Sequence, residues 1–280
     1  MINRYRLHEK IALYAAIFLF LLVLLFPFFE AVKAAFSPLS SLFRTPWHPL
    51  PQHFSLEAWQ NMWQRVPYLP RYIFNSVLIA GVSTLLTLLL SVPAAYALTR
   101  LPIPGVRYFW ALFLGVNVFS GAVLLIPLYR MMKTWGMLNS YAGMIVPGTA
   151  FLIPTAVWLL RTYLVQIPRD LEDAARCDGA GRIYILRRVI LPLIKPGLVA
   201  VAVITFINSY ANQFIFALTF NSKREYMPIA VGIFDFFGRN TVQWNELMAA
   251  CLVGIVPALL IFVVLQRYLI DGLTKGAVKH

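Results

Sequence analysis

Charge is what this sequence has least of. Of its 280 residues only 12% are Asp, Glu, Lys or Arg, against about 25% in a soluble domain. Hydrophobic residues make up 60%. A soluble core has no use for so much apolar surface, so lipid is the expected solvent. Acids are scarcer than bases, 11 against 24, and the formal net charge is +13. A basic face would suggest nucleic acid. Here the bases sit in short segments between apolar runs, so no nucleic-acid partner is expected. Cysteine is nearly absent: Cys177 falls in a charged connection and Cys251 in an apolar run. The two form neither a disulfide framework nor a metal-ligand spacing. The four histidines, His8, His48, His53 and His280, lie outside the apolar runs, and there is no H-E-x-x-H. Gly272 to Lys275 lacks the spacing of a Walker phosphate loop. No enzyme activity, no metal and no cofactor of its own are expected for the chain.

Long apolar runs are what the sequence does have. A membrane-crossing helix needs about 20 such residues. Six segments qualify, and none contains Asp, Glu, Lys or Arg: Ile11 to Phe29, Tyr72 to Leu98, Tyr108 to Leu128, Ala142 to Leu160, Gly197 to Phe220 and Leu247 to Leu265. The expected fold is an all-α membrane protein with six transmembrane helices. The first run exceeds the roughly 7–15 apolar residues of a signal peptide and is read as a retained helix. With the N-terminus inside, the inner segments hold fifteen of the 24 Lys and Arg. That bias puts both termini on the cytoplasmic side. Pro93, Pro127, Pro147, Pro154 and Pro257 lie inside the runs. Each removes a backbone donor and bends its helix. Kinks around a pathway and ordinary packing irregularity both fit.

The longest inner connection runs from Arg161 to Pro196. Pro168 suits a helix start. Asp170, Glu172 and Asp173 follow where the helix dipole favours acids. Gly179 and Gly181 can supply a turn with positive φ. A second helix is expected from about Arg182 to Leu191, stopped by Pro192 and Pro196. The spacing predicts a helical hairpin with a small, flat face around Ala174 and Ala175, suited to close approach by another surface. A solvated loop joining two spans fits the composition equally well.

The connection resembles the EAA loop of ABC importer permeases. In that family the pattern is E-A-A, three residues, Gly, nine residues, then I-x-L-P. Here Asp173-Ala174-Ala175 is followed after three residues by Gly179 and after nine more by Val189-Ile190-Leu191-Pro192. Asp173 replaces the family's Glu, with Glu172 one place earlier, and Val189 replaces Ile. Gln266-Arg267-Tyr268 and the run from Gly272 to Lys279 are similar to the tail of maltose-type carbohydrate permeases, more specifically to the shorter, six-span partner of that heterodimer. Asn75-Ser76 and Pro93-Ala94-Ala95-Tyr96-Ala97 also fit. The resemblance implies a type I ABC importer permease fold in a bacterial inner membrane. It divides the chain into a cytoplasmic N-terminus (1–10), a first span (11–36), a periplasmic connection (37–71), a permease core (72–270, with the EAA loop at 163–195) and a cytoplasmic tail (271–280). It implies a second permease subunit, two ABC ATPase subunits that bind ATP and Mg, and a periplasmic or lipid-anchored solute-binding protein. Coupling to the ATPase is assigned by it to Glu172, Asp173, Ala174, Ala175, Asp178, Gly179, Leu191 and Pro192. The tail residues Lys275, Gly276 and Lys279 are implied to touch the ATPase, and Asn221 to Glu246 to probe the binding protein's sugar cleft.

The fifth run carries a polar cluster. Asn208 and Asn212 share a helix face. With Tyr210, Gln213, Phe214 and Phe216 they are the candidate substrate pathway, since a sugar needs neutral donors and acceptors beside aromatic surface. Interhelical hydrogen bonding is the competing reading. Relatives often show W-N-E or W-N-D where this chain has Ala211-Asn212-Gln213. The missing acid would lower repulsion toward an anionic sugar, such as a uronate or alginate oligosaccharide. Two alternatives remain, an ABC permease for another solute such as a polyol phosphate, and an ion-coupled carrier. The carrier lacks the ionisable residues within spans that proton relays use.

Overall fold

The computed structural model describes residues 7–43, 46, 48–118, 121–238 and 241–277. Regular structure among them is helical, apart from one isolated antiparallel bridge between Phe237 and Val242. The helices of eight residues or more are α1 (Leu7–Ala35), α2 (Glu57–Arg65), α3 (Leu69–Arg100), α4 (Val106–Val118), α5 (Leu125–Thr134), α6 (Ala142–Leu164), α7 (Asp170–Cys177), α8 (Arg182–Leu193), α9 (Lys195–Ala211), α10 (Gln213–Phe220) and α11 (Trp244–Ala277).

α1, α3, α6 and α11 are each long and apolar enough to cross a membrane. The other two expected spans are interrupted. The third comprises α4 and α5, with residues 119–120 outside the described set. At a rise of about 1.5 Å per residue, α4 is too short to cross about 30 Å of hydrocarbon alone. Residues 121–124, which begin with the weak helix former Gly121, form turns before α5. Pro127 consequently does not kink a span. It lies in the first turn of α5, where its missing N–H leaves no bond unmade. Pro93, Pro147, Pro154 and Pro257 do lie inside α3, α6 and α11. The fifth expected run is divided at Asn212 into α9 and α10.

The chain forms two compact units. The first contains Met1–Leu69 and Ile233–Ile255. Its α1 is apolar on every side and almost wholly uncovered: Phe18, Phe20 and Val23 point in different directions, yet each is about two-thirds exposed. Such a helix suits lipid. The periplasmic connection expected over 37–71 holds α2, whose Arg65 forms an ion pair with buried Glu246 in the first turn of α11.

The second unit contains Pro70–Gly232 and Val256–His280. Its core gathers Ala95 and Tyr96 of α3, Val157, Leu160 and Leu164 of α6, Ile185 and Ile190 of α8, and Val201 of α9. Ser83, Thr87 and Ser91 form a fully buried stripe on α3. Their spacing of four puts them on one face. Such small polar residues let membrane helices approach closely. Ser91 Oγ donates to the Ile153 carbonyl on α6 at 3.5 Å.

Candidate functional site

The connection after α6 folds as the expected helical hairpin. α7 opens with Asp170, Glu172 and Asp173 in its first turn, as the helix dipole favours. Gly179 makes the turn with φ +81°. Gly181 does not share that role: its φ of −73° is ordinary extended backbone. α8 runs two residues beyond the expected end and winds as a π-helix over Ile185–Ile190. That underwinding, with bonds from i to i+5, sets Ile185 and Ile190 together in the core. α8 and α9 then meet at 81°.

The hairpin has two faces of different chemistry. Asp173, Ala174, Asp178, Gly179 and Pro192 are exposed, while Ala175 and Leu191 are half-buried against the core. Leu171, Ile183 and Tyr184 are also exposed and extend the outer face with apolar surface. Asp173 accepts a hydrogen bond from Arg176 at 2.7 Å. Both side chains are more than half exposed, so solvent screens this pair.

Glu172 departs from the expected docking role. It is 1% exposed and points into the unit. Arg100 Nε, at the end of α3, lies 3.0 Å from its Oε1, an ion pair without the alignment of a hydrogen bond. Tyr96, one turn earlier on α3, donates its hydroxyl to Oε2 at 3.0 Å. Arg176 approaches the same oxygen at 3.7 Å. Arg100 also donates from Nη2 to the carbonyls of Leu164 and Ile167 at 2.5 and 2.6 Å. It thereby adds a second donor to the Leu164 carbonyl, which the Ile167 amide also reaches at 3.2 Å, and binds that of Ile167 just past α6. Sequence reasoning did not single out Tyr96 and Arg100 for this role. The available signal was a tyrosine and an arginine four apart at the end of an apolar run.

The pathway candidates gather around the break at Asn212. A cavity of about 600 Å³ is lined by Asn208, Asn212, Gln213, Phe214 and Phe216 together with Phe151 and Thr155. Its lining includes no charged residue among those described. Tyr210 is not part of it and stacks on Phe206 at 5.9 Å. Phe216 stacks between Phe151 and Phe220 at 5.8 and 5.7 Å. Each amide nitrogen spends one of its two N–H donors within the protein. Asn208 Nδ2 donates to the Ile204 carbonyl at 3.0 Å and Asn212 Nδ2 to that of Asn208 at 2.9 Å. Gln213 Nε2 donates to the Ser76 carbonyl at 2.9 Å, while its buried Oε1 has no protein partner. The fifth run therefore lines a cavity, and through Gln213 it also bonds to a second helix, α3.

The expected tail is no separate element. Residues through Ala277, including Lys275 and Gly276, continue α11, and Lys279 lies outside the described residues.

Residues 11–275 match the family described as "Binding-protein-dependent transport system inner membrane component". The Agrobacterium fabrum protein SmoH, a sulfoquinovosyl glycerol transport system permease protein, is 38% identical over 208 residues, 74% of this chain and 73% of its own length. The Escherichia coli inner membrane ABC transporter permease protein YcjP is 32% identical over 283 residues, and the match covers all of both chains. The trehalose/maltose transport system permease protein MalG of Thermococcus litoralis is 35% identical over 213 residues, 76% of each chain. Among solved structures, a chain of a bacterial ABC transporter for the acidic polysaccharide alginate superposes with a TM-score of 0.79 at 22% identity, over 94% of this chain and 98% of that one. That likeness is one of fold. From these matches, the chain belongs to the inner membrane component family of binding-protein-dependent transport systems, whose members are non-catalytic ABC permease subunits.

Proposed function

We propose that this chain is the permease subunit of an ATP-driven importer for a sugar or oligosaccharide. A second permease completes the pathway. Two ABC ATPase subunits bind ATP and Mg, and a periplasmic or lipid-anchored solute-binding protein delivers cargo to the outer face. Both termini are cytoplasmic, following the inner excess of Lys and Arg. The observation that carries this reading is the outer face of the hairpin. Asp173, Ala174, Asp178 and Gly179 lie exposed beside uncovered Leu171, Ile183 and Tyr184. Small, acidic and apolar groups together suit an insertion into a protein cleft, here the ATPase's. Lys275, Gly276 and Lys279 add a second contact at the tail.

Carbohydrate cargo is supported by the trehalose/maltose and sulfoquinovosyl glycerol relatives, and by a cavity that combines amide oxygens with phenyl rings. The finer reading is an acidic, uronate-type oligosaccharide. It rests on Ala211-Asn212-Gln213, where no carboxylate stands to repel an anion. The test is to purify the tagged chain with its second permease and ATPase, reconstitute them in liposomes, and measure uptake with the binding protein. ATP-dependent uptake of a uronate oligosaccharide above its neutral counterpart is expected. A preference for the neutral sugar overturns the acidic reading and leaves the sugar reading standing. Uptake of a polyol phosphate but of neither sugar overturns both.

A further inference from the structure

We infer that Arg100, with Tyr96, is a positioning group for coupling: it locks α7 to α3 and α6, so that a push on the hairpin's outer face moves all three helices together. This deepens the proposed role of the hairpin in ATPase docking and rests on it.

Neighbouring acids at the start of α7 are turned to opposite sides. Asp173 faces outward, over half exposed. Glu172 faces inward, and its side chain is 2% exposed against 5% for Arg100. Successive helix residues are separated by about 100°, so one short helix can offer one acid to a partner and bury the other. A buried carboxylate is tolerated only when paired and bonded. Arg100 and Tyr96 supply both functions from α3. Arg100 also holds the carbonyls of Leu164, the last residue of α6, and of Ile167 just past it. A single guanidinium therefore joins the end of α3, the end of α6 and the acid of α7.

This geometry suits force transmission. Apolar contacts between helices slide at little cost, whereas charge-assisted bonds have fixed directions and strengthen in a dry interior. The covalent links of α7 run through residues 165–169 and 178–181, which lie outside helices. The polar lock bypasses both links. Arg176, which also reaches Glu172, is half exposed at the docking face. A partner that displaces Arg176 therefore acts directly on the locked carboxylate.

The test uses the complete importer in liposomes, with cargo uptake and ATP hydrolysis measured together. Glu172→Gln and Arg100→Gln are expected to lower cargo moved per ATP by about two- to thirtyfold, the span of coupling carried by such networks. Tyr96→Phe, which removes one hydroxyl, is expected at the low end. Arg100→Lys, which keeps the charge but not the reach to two carbonyls, is expected to recover part of the loss. A purely structural role would lower the amount of assembled complex and leave the ratio unchanged. An unchanged ratio in assembled Tyr96→Phe and Glu172→Gln complexes overturns the inference. If Glu172→Gln fails to assemble, Tyr96→Phe alone decides. If the unaltered chain takes up cargo without ATP, or recruits no ATPase, the docking reading itself falls and the inference with it.

Discussion

Asn75 Nδ2 donates to the backbone carbonyl of Met227 at 2.8 Å, across 152 positions of sequence. The same nitrogen donates to the Glu225 carbonyl at 2.9 Å, and Asn75 Oδ1 accepts from the Tyr141 hydroxyl at 2.8 Å. The side chain is fully buried. Next to it, Ser76 Oγ accepts from the Ile229 amide at 3.0 Å. This pair thus anchors the connection after α10 to the start of α3. Asn75→Leu would leave the Met227 carbonyl and the Tyr141 hydroxyl without this partner, while the Glu225 carbonyl keeps Arg71 Nε at 3.0 Å; each buried orphan costs about 1–3 kcal/mol. A clear fall in thermal unfolding temperature in detergent is expected. An unchanged unfolding temperature would show that water or a shifted backbone replaces the amide.

Close approach between α6 and α9 depends on Gly197. A Cβ at this position would overlap the Tyr163 ring. Gly197→Ala is expected to destabilise the chain by about 1–3 kcal/mol through overpacking. Shrinking the ring with Tyr163→Leu should relieve part of that loss, giving a favourable coupling in a double-mutant cycle. Additive effects of the two substitutions would mean that the helices separate instead of colliding.

Gly179 is demanding for a different reason. Nothing lies within 4 Å of its would-be Cβ, yet its φ is +81°. An alanine would fit in space but strain the backbone by about 1–2 kcal/mol. Proline fixes φ near −65° and would also delete the bond from the Gly179 amide to the Arg176 carbonyl. ATPase recovery in pull-downs should therefore fall in the order Gly, Asn, Ala, Pro, with Asn tolerated because it visits the left-handed region. The amount of membrane-inserted chain should stay constant across the series. Normal transport by Gly179→Pro would remove this turn from the coupling mechanism.

The hairpin was legible because its signals are local: Asp170 to Asp173 at a dipole, a glycine at the turn, prolines at the end. The inward turn of Glu172 was not. Its partner Arg100 is 72 positions away, and no local pattern tells a buried acid from an exposed neighbour. Four spans were legible as uninterrupted apolar runs. The breaks in the others were not, because Asn212 and the turn that begins at Gly121 interrupt helices without changing hydrophobicity much. Pro127 misled for the same reason: proline in a helix interior and proline in a first turn look alike until the helix boundary is known. In the fifth run, composition revealed the polar cluster but not the direction of its amides. Tyr210, grouped with the pathway by proximity in sequence, turned to Phe206 instead.

The direction of those amides has a consequence for cargo. Asn208 and Asn212 each commit a nitrogen to their own helix, and Gln213 commits its nitrogen to Ser76. The buried Oε1 of Gln213 is left without a protein partner beside the cavity. An acceptor in that position is matched by a hydroxyl donor, which a sugar supplies. Gln213→Leu removes the acceptor at similar volume. It also frees the Ser76 carbonyl, whose loss affects stability and not recognition. Gln213→Glu keeps an acceptor and loses the donor, so it separates the two effects. If cargo hydroxyls are read here, Gln213→Leu should raise the KM for uptake by about five- to tenfold, the value of one neutral hydrogen bond. Gln213→Glu should lower stability more than affinity for a neutral sugar. Equal KM values for all three chains would make the cavity a packing void and move recognition elsewhere in the pathway.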